Sequence, residues 1–503
     1  MVIYLQLLLC QRVGEGVKGI KRATKIVATL GPATDSPQTI EQLISSGVDV
    51  VRLNFSHGTA EEHRKRAIWV HEAAHRLERD VGVMVDLQGP KIRIGTFKGG
   101  EVDLIAGSRF ILDLDCEEGN EDRVGLDYKE LINDVSDNDT LVLNDGHVVL
   151  KVESKSQTKI HCKVIQGGLL SDKKGINRQG GGLSAPALTE KDIRDISVAA
   201  EIEADYLAIS FPKSATDILL AKEVLKKHSS KAWVIAKIER VEAIKNLQEI
   251  LDASHGLMVA RGDLATEVGE AAVPALQKRM IQMARDKNKL AITATQMMES
   301  MIYAPVPTRA EVSDVANAVL DGTDAVMLSA ETAAGKYPSR TVSKMSEICL
   351  EAEKFVDGVV DNQFLDRTFK SIDQSIAMAS LFVALHLKIK AIASFTQSGS
   401  TALWISRLNS GVPIYALTPE DSTRRRMSLY RDVEPIFLKH EQNDREQLIR
   451  IAEQKLVDSK IVTEGDLIVV TIGEPIGQSG GTNTMKIVKV NVKPLNQAEQ
   501  LRL

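Results

Sequence analysis

The first two-thirds of the chain repeats one pattern: a short apolar run rich in β-branched residues, a polar break, and an amphipathic stretch of helical length. This alternation predicts βα units, in which helices cover both faces of parallel strands. Eight such runs occur, which is the strand number of a closed (β/α)8 (TIM) barrel. The runs are Lys25–Leu30, Val48–Leu53, Val83–Asp86, Tyr206–Ser210, Val234–Ile238, Leu257–Ala260, Leu290–Thr293 and Ala325–Leu328.

Between the third and fourth runs, the pattern changes to short strands separated by glycine and aspartate. This change predicts a small β-barrel domain inserted in a barrel loop, where it would act as a lid. Its return segment contains Gly180, Gly181 and Gly182, whose backbone freedom suits a hinge. The strands expected in the insertion are Arg109–Leu114, Thr140–Asn144, Val148–Val152 and Lys159–Val164.

After about residue 350 the βα alternation resumes, which predicts a separate open α/β domain. Its expected strands are Ala391–Thr396, Pro413–Leu417, Val433–Leu438, Leu467–Ile472 and Lys486–Val492. We therefore expect five parts: an N-terminal extension (1–20), a barrel (21–88 and 185–349), an inserted lid (89–184), a C-terminal α/β domain (350–493) and a tail (494–503).

Composition and charge narrow the class of protein. The 503 residues are 43% hydrophobic and 26% charged, with a net charge of -5, which indicates a soluble multidomain chain without a basic field for nucleic acid or anionic lipid. The apolar segment Val2–Leu9 is too short to span a bilayer and lacks the basic start of a signal peptide. The four cysteines are widely spaced, which favours a reducing, cytoplasmic compartment over a disulfide framework or a zinc site.

Polar residues concentrate after the apolar runs, where a barrel places its active site. Lys237 and Glu239 are two apart on one strand, so they share a face, and Asp263 follows the next strand. Carboxylates at such a position suit octahedral Mg²⁺ or Mn²⁺, which also takes substrate and water oxygens. Arg52, Arg93 and Lys237 add cations suited to a transferring phosphoryl group. The pattern favours phosphoryl transfer.

Each of these residue patterns also has an interpretation in which it serves only the fold. Lys237 and Glu239 fit an exposed strand end with alternating charges, and each arginine fits a surface ion pair. The segment Arg261–Asp263 fits a turn with an internal salt bridge.

Together these strand-end segments resemble the pyruvate kinase family, with the same order of barrel, lid and C-terminal domain over Lys21–Val492. The resemblance is carried by Ala23–Pro32, Val51–Gly58, Asp86–Arg93, Ala236–Glu239, Met258–Leu264, Ile292–Met301 and Ala325–Thr332. It implies a cytoplasmic, allosterically activated homotetramer that transfers the phosphoryl group of phosphoenolpyruvate to ADP with Mg²⁺ or Mn²⁺, the last step of glycolysis. The segment Asp86–Arg93 is similar to the bacterial type that is activated by sugar monophosphates or AMP.

The resemblance also implies roles for individual residues. Glu239 and Asp263 would hold the divalent metal, and Lys237 would stabilise the transferring phosphoryl group and the developing enolate. The amides of Gly262 and Asp263 and the hydroxyl of Thr295 would hold the substrate carboxylate, with Thr295 near the water route that protonates the enolate. The other implied contacts are Arg52 to the phosphoryl group and, to the nucleotide, Asn54, His57, Arg93 and Lys191.

One departure from the family concerns a monovalent cation. Many members bind K⁺ through residues matching Asn54, Ser56, Asp86 and the carbonyl of Leu87, and carry Glu where this chain has Lys91. We hypothesise that the Lys91 ammonium replaces the ion, so that K⁺ is not required. The alternative is that Lys91 points to solvent.

A second departure follows Asp263, where the family usually has Gly at the position of Ala265 and Val at that of Thr266. If the glycine position needs a positive φ or a close backbone approach, Ala265 would strain the substrate loop. The chain would then be a catalytically impaired, effector-binding homologue. Another barrel enzyme of phosphoenolpyruvate or 2-oxoacid chemistry, an aldolase or lyase, is a third reading, which the lid and the Arg52 and Arg93 segments disfavour.

The C-terminal domain offers a candidate anion site at Ser394–Thr401, where a strand leads into a helix with hydroxyls and free amides. This segment resembles the family's effector-phosphate loop, and Ser400 stands where members that respond to fructose bisphosphate often have Arg. The resemblance implies a sugar monophosphate or AMP as activator; the alternative is an ordinary βα turn. The residues of this candidate effector site are Thr396, Ser398, Gly399, Ser400 and Thr401.

Overall fold

A computed structural model describes residues 22–355, 369–408, 410–439, 445–476 and 480–491. The predicted N-terminal extension and tail lie outside these residues. Three strands and two helices begin the barrel, and a short 3-10 turn follows the first strand at Pro32–Thr34. They are β1 (Lys25–Leu30), α1 (Pro37–Ser45), β2 (Val50–Asn54), α2 (Ala60–Arg76) and β3 (Gly82–Asp86).

An all-β insertion with one short helix follows β3. Its elements are β4 (Thr96–Phe97), β5 (Glu101–Leu104), β6 (Arg109–Asp113), β7 (Glu118–Gly119), β8 (Arg123–Val124), α3 (Leu131–Asp134), β9 (Thr140–Leu143), the 3-10 turn Asn144–Gly146, β10 (Val148–Lys155), β11 (Lys159–Gln166), β12 (Gly168–Ser171) and β13 (Ile176–Arg178). Six strands form one sheet in the order β13-β9-β10-β11-β6-β8, and the others form two-stranded sheets. The insertion has its own apolar core. In this fully described segment, hydrogen bonds divide the strands among three sheets and do not close them into one barrel.

Five further parallel strands complete the large barrel. The elements are α4 (Glu190–Glu201), β14 (Tyr206–Ile209), α5 (Ala215–Lys227), β15 (Trp233–Ile238), α6 (Val241–Lys245), α7 (Leu247–Ala253), β16 (Gly256–Ala260), α8 (Arg261–Val268), the 3-10 turn Glu270–Ala272, α9 (Val273–Asp286), β17 (Leu290–Ala294), the 3-10 turn Glu299–Ile302, α10 (Arg309–Leu320), β18 (Ala325–Leu328), α11 (Ala330–Ala333) and α12 (Pro338–Glu353). The closed order is β1-β18-β17-β16-β15-β14-β3-β2. The predicted eight-stranded barrel is confirmed.

The C-terminal domain is an open sheet covered by helices. Its elements are α13 (Ile372–His386), β19 (Ile389–Phe395), α14 (Ser400–Arg407), β20 (Ile414–Thr418), α15 (Asp421–Met427), β21 (Val433–Phe437), α16 (Arg445–Asp458), β22 (Leu467–Gly473) and β23 (Thr482–Lys489). The strand order is β21-β20-β19-β22-β23, and β23 runs antiparallel to β22. The predicted α/β domain is confirmed, although its last strand begins and ends earlier than expected.

The C-terminal domain packs against the amino-terminal end of the barrel. Lys25 Nζ at the start of β1 donates a hydrogen bond to the Val433 carbonyl at 2.8 Å, and Arg425 Nε donates to Asp205 Oδ1, just before β14, at 3.0 Å. The inserted domain leaves the barrel after the carboxyl end of β3, so it lies at the opposite end, where the strands finish. Across the residues that the structure describes, no helix is both long enough and apolar enough to cross a membrane.

Candidate active site

The carboxyl ends of β2, β3 and β15 bring two carboxylates and two cations together. Lys237 Nζ lies 2.9 Å from Glu239 Oε1 and 3.3 Å from Asp86 Oδ1, and Arg52 Nε donates to Asp86 Oδ2 at 2.7 Å. The Asp86 and Glu239 side chains are each 1% exposed. An exposed strand end with alternating charges therefore does not describe β15, because its charges are buried and compensated within the cluster.

Mutual electrostatics sets the charge states of this cluster. Burial raises the pKa of Glu239; the Lys237 charge opposes the rise and the nearby Asp263 carboxylate adds to it. Burial also disfavours an ionised Asp86, but Lys237 and Arg52 hold the pKa of Asp86 below its usual range. Burial alone would lower the pKa of Lys237, whereas the Asp86 and Glu239 carboxylates raise it above its ordinary value. Lys237 is therefore a permanent cation near neutral pH.

Two carboxylate oxygens of the cluster face the Lys237 ammonium. Asp86 Oδ1 and Glu239 Oε1 are buried, and the Lys237 ammonium is the partner of both, as an ion pair away from ideal hydrogen-bond geometry. The other Glu239 oxygen accepts from the Phe211 amide at 2.8 Å. The Glu239 oxygen that faces Lys237, with the nearby Asp263 carboxylate, is the candidate ligand for a hard divalent cation.

The number of protein ligands narrows the type of metal. Among the described residues, no group of three or more His, Cys, Asp or Glu side chains has a metal-binding arrangement. Mg²⁺ is commonly held by one or two carboxylates together with water and substrate oxygens. Two neighbouring carboxylates, such as those of Glu239 and Asp263, match this donor set.

Helix α8 begins directly after β16 and contacts the loop that follows β17. The Gly262 amide donates to Thr295 Oγ1 at 3.0 Å. Thr295 and Gln296 both have left-handed backbone conformations, with φ values of 68° and 55°, which cost a β-branched residue about 1–3 kcal/mol. Arg261 stabilises this strained backbone. Its Nη2 donates to the Thr295 carbonyl at 2.6 Å, and its Nε donates to the Ala294 carbonyl at 3.2 Å.

Arg261 and Asp263 do not pair with each other, so the turn with an internal salt bridge that the sequence also allowed is not formed. Arg261 Nη1 pairs with Asp314 Oδ1 at 2.8 Å, and Asp263 Oδ1 lies 3.3 Å from Lys91 Nζ. Ala265 has a helical conformation within α8 and packs against the barrel core. The strain considered for Ala265 is therefore absent.

The residues of the predicted monovalent-cation site lie together at the ends of β2 and β3. The Ser56 amide donates to Asn54 Oδ1 at 3.2 Å, and both Asp86 oxygens face the cations described above. Ser210 Oγ donates to the Leu87 carbonyl at 2.7 Å and accepts from Lys237 Nζ at 2.7 Å. Sequence reasoning missed this role of Ser210; the available signal was a polar residue at the end of a predicted strand.

Lys91 points into the site and not to solvent. Its side chain is 28% exposed and its ammonium pairs with the Asp263 carboxylate. The positive charge that the sequence predicted at this position is thus placed beside the second candidate metal ligand.

The predicted nucleotide contacts surround the cluster. His57 is exposed, and its pKa is lowered first by partial burial and then by the nearby cations Arg93, Arg52 and Lys91. Arg93 Nη1 donates to the Lys173 carbonyl of the inserted domain at 2.9 Å. Lys191 Nζ donates to the Phe55 carbonyl at 2.7 Å. His57 and Arg93 thus lie near the cations of the site, and Arg93 and Lys191 each donate to a main-chain carbonyl.

The candidate effector segment forms a pocket at the start of α14. The Gly399 amide donates to Thr396 Oγ1 at 2.9 Å, the Ser400 amide lies 3.4 Å from Ser398 Oγ, and Gly399 is left-handed with φ of 86°. The Thr401 hydroxyl contacts that of Thr482 at 2.6 Å. A small cavity adjoins this segment. Its lining residues are Phe395, Thr396, Gln397, Thr401, Leu417, Ile472, Gly473, Ile476, Gly480 and Thr482.

Comparison with known proteins gives one family. Residues 21–342 match the family described as pyruvate kinase, barrel domain, and residues 374–488 match pyruvate kinase, alpha/beta domain. The chain is 51% identical to the pyruvate kinase of Buchnera aphidicola subsp. Schizaphis graminum, over 93% of this chain and 98% of that protein. It is 48% identical to pyruvate kinase II of Salmonella typhimurium, over 93% and 99%. A crystal structure of a pyruvate kinase from Cryptosporidium parvum matches with a TM-score of 0.87 at 32% identity, covering 93% of this chain and 96% of that one.

Proposed function

The chain belongs to the pyruvate kinase family, and we propose that its barrel site transfers the phosphoryl group of phosphoenolpyruvate to ADP, giving pyruvate and ATP. The observation that carries the assignment is the buried cluster of Lys237, Glu239, Asp86 and Arg52 at the carboxyl ends of the barrel strands. This cluster presents two fixed cations beside the Glu239 carboxylate, which together with Asp263 is the proposed divalent-metal site.

The cations stabilise the transferring group. In the reaction, the phosphorus–oxygen bond of phosphoenolpyruvate breaks and the phosphoryl group bonds to a terminal oxygen of ADP. Lys237 faces the developing enolate and phosphoryl charge, and Arg52 binds phosphoryl oxygens. Bound by Glu239 and Asp263, Mg²⁺ or Mn²⁺ supplies positive charge that neutralises substrate oxygens. Because Asp86 pairs with both cations, they are already oriented before the substrate arrives.

The start of α8 is proposed to bind the substrate carboxylate. The amides of Gly262 and Asp263 lie in the first turn of this helix, where backbone N–H groups favour anions. The Thr295 hydroxyl lies beside Gly262; in this proposal it is near the route by which water delivers a proton to the enolate carbon, giving pyruvate. The left-handed backbone of Thr295 fixes its hydroxyl toward α8.

The inserted domain is proposed to act as a lid that excludes water from the phosphoryl group. Its return segment has three consecutive left-handed glycines, Gly180, Gly181 and Gly182, which suits a hinge. The nucleotide would lie under this lid, against Asn54, His57, Arg93 and Lys191. The domain limits given above, with the lid at 89–184, belong to this proposal.

We propose that the enzyme does not require K⁺. The oxygens of the matching cation site have protein partners: Asn54 with the Ser56 amide, Leu87 with Ser210, and Asp86 with two cations. Lys91 supplies a fixed positive charge beside Asp263, where the family usually carries a glutamate.

We further propose an activator site in the C-terminal domain, a homotetrameric assembly and a cytoplasmic location. The pocket at Thr396–Thr401 would bind the phosphate of a sugar monophosphate or AMP at the start of α14. A homotetramer is supported by exposed apolar side chains on α13 of the C-terminal domain, among them Ile372 and Phe382, which is 58% exposed. A cytoplasmic location is supported by the free thiols of Cys116, Cys162 and Cys349.

The competing functions lose their support. A catalytically silent homologue required a strained loop at Ala265, which the structure does not show. An aldolase or lyase needs neither the inserted domain nor the Arg52 side chain, which here is held between Asp86 and Thr29.

The first experiment measures pyruvate formation from phosphoenolpyruvate and ADP with Mg²⁺. Parallel assays contain K⁺ or a bulky organic cation, with and without ribose 5-phosphate. Turnover in both salts supports the phosphoryl-transfer site together with the Lys91 replacement. Absence of pyruvate in every condition, from folded protein that binds Mn²⁺, would contradict the proposed function.

A further inference from the structure

A polar contact joins the inserted domain to the helix that carries Asp263. Asn177 Nδ2 on β13 donates to Thr266 Oγ1 on α8 at 2.5 Å. Thr266 Oγ1 donates in turn to the carbonyl oxygen of Asp263 at 2.6 Å. Two hydrogen bonds therefore link a strand of the inserted domain to the backbone of a candidate metal ligand.

Asn177 belongs to the rigid part of the inserted domain and not to its hinge. The next residue, Arg178, forms a two-armed ion pair with Asp139 at 2.8 and 3.1 Å, and β13 pairs with β9 on the same sheet. The glycines at 180–182 come after this anchored segment. The Gly180 amide donates to the Glu267 carbonyl on α8 at 3.1 Å, so the Asn177–Thr266 contact lies on the lid side of a hinge that is itself hydrogen-bonded to α8.

Thr266 has its hydrogen-bonding capacity fixed by these two partners. Its hydroxyl proton is used toward Asp263 one helical turn earlier, so its oxygen accepts from the Asn177 amide. The Thr266 residue is 9% exposed, so water competes weakly for the hydroxyl. The related family usually has Val at this position, a side chain of the same shape that can make neither bond.

We propose that Asn177 and Thr266 are positioning residues, through which the closed lid is held on α8 and fixes Asp263 for the metal-bound substrate. The proposal rests on the proposed function, in which Asp263 binds the divalent metal. When the inserted domain swings away, the Asn177 amide leaves Thr266 and one restraint on the first turn of α8 is lost. The Asn177–Thr266 hydrogen bond thus couples lid closure to the backbone of the metal ligand, in addition to the direct pair between Lys91 and the Asp263 carboxylate.

The test compares the wild-type enzyme with Thr266→Val, Asn177→Ala and the double variant. Loss of one hydrogen bond predicts about a three- to tenfold increase in the KM for phosphoenolpyruvate, with kcat changed less than about twofold. The double variant is expected to match Thr266→Val, because the only contact that Asn177→Ala removes from α8 is already lost when the Thr266 hydroxyl is absent. Thr266→Ser keeps the hydroxyl and is expected to restore the wild-type KM.

A second readout does not use turnover. Binding of Mn²⁺ in the presence of phosphoenolpyruvate is followed by the electron paramagnetic resonance signal of the free ion. Both single variants are expected to weaken this binding by about three- to tenfold, in line with the loss of one hydrogen bond, while the midpoint of thermal unfolding stays unchanged.

Different results would contradict the Asn177–Thr266 coupling and the proposed function. An active wild-type enzyme whose variants keep its KM and Mn²⁺ affinity, or whose single effects multiply in the double variant, overturns the inference alone. A wild-type protein that makes no pyruvate overturns the function and, with it, the inference.

Discussion

Arg407 and Asp324 form a two-armed ion pair between the C-terminal domain and the barrel, with N–O distances of 2.9 and 2.6 Å. Their side chains are 1% and 0% exposed. Asp324 immediately precedes β18, and Arg407 is the last residue of α14, whose first turn forms the candidate effector pocket. The pair therefore connects the helix of that pocket to a barrel strand that leads toward the active site.

Breaking this pair is expected to destabilise the protein strongly. Asp324→Asn leaves the buried Arg407 guanidinium without a counter-ion, which costs about 3–5 kcal/mol. The expected result is a clear drop in the midpoint of thermal unfolding. Glu474→Gln is the control, because the Arg445–Glu474 pair is 43% exposed on both sides and such pairs contribute about 0–1 kcal/mol. Equal midpoints for the two variants would contradict the prediction.

Lys237→Met is expected to abolish phosphoryl transfer. The substitution removes the cation that faces Asp86 and Glu239, and loss of one such electrostatic contact lowers kcat by at least about 10²–10³-fold. Mn²⁺ binding should remain detectable, since Glu239 and Asp263 are retained. Pyruvate formation and Mn²⁺ titration check the two parts, and unchanged turnover would refute the central assignment.

Lys91→Glu is expected to make activity depend on K⁺. The wild-type rate should be similar in K⁺ and in tetramethylammonium, because the Lys91 ammonium is fixed 3.3 Å from the Asp263 carboxylate. In the variant, a second carboxylate replaces that cation, so a monovalent ion is needed to offset the repulsion. A large loss of wild-type activity without K⁺ would show that Lys91 does not replace the ion.

Glu267 is expected to give the stability a specific pH dependence. Burial raises the pKa of its carboxyl to about 7, from 4.5. A carboxyl whose pKa is raised on folding stabilises the folded state fully below its unfolded pKa, and this contribution is lost as the pH rises through the folded value. Between about pH 4.5 and 7 the free energy of unfolding should therefore fall by up to about 3 kcal/mol. Glu267→Gln cannot ionise and should remove this part of the slope in urea unfolding.

The carboxyl of Glu311 is expected to change the free energy of unfolding with pH in the direction opposite to Glu267. Burial opposes its ionisation, but hydrogen bonds from Ser300 and Thr308 hold the pKa of Glu311 below its ordinary value. Its contribution is present above the unfolded pKa and is lost as the pH falls through the folded value. A slope that is unchanged in Glu267→Gln would contradict the assignment to that residue.

Ser398→Asp is expected to abolish the response to a sugar phosphate. A carboxylate beside the amides at the start of α14 repels phosphate. In the wild type, ribose 5-phosphate, glucose 6-phosphate or AMP should shift the phosphoenolpyruvate saturation curve to lower concentrations, and in the variant the shift should vanish. No shift in the wild type with any of the three would count against the pocket as the effector site.

The barrel was predictable because its strands are covered on both faces and so appear as uninterrupted apolar runs. The bounds of β1 and β18 agree with the sequence prediction at both ends. In the inserted domain, strands such as β7, with two residues, are too short to show a period. Strand β23 has exposed residues on one face, so it does not appear as an uninterrupted apolar run. For this reason its start was predicted later in the sequence than the structure places it.

The candidate site was predictable where it follows strand ends, as for Lys237 and Glu239. Its partners were not, because they come from distant parts of the chain. Lys237 and Ser210 are 27 positions apart, Arg261 and Asp314 are 53 apart, and tertiary packing alone brings them together. No local pattern distinguishes such residues from other polar side chains.

The barrel and the insertion are structurally separate units with different proposed roles. Strands β3 and β14, between which it is placed, pair directly with each other in the barrel, and the insertion has an apolar core of its own. The closed barrel therefore includes no strand of the insertion, and the two units have separate cores. The cluster of Lys237, Glu239, Asp86 and Arg52 belongs to the barrel alone. Under the proposed lid role, the barrel supplies the phosphoryl-transfer groups and the insertion decides which acceptor, ADP or water, reaches them.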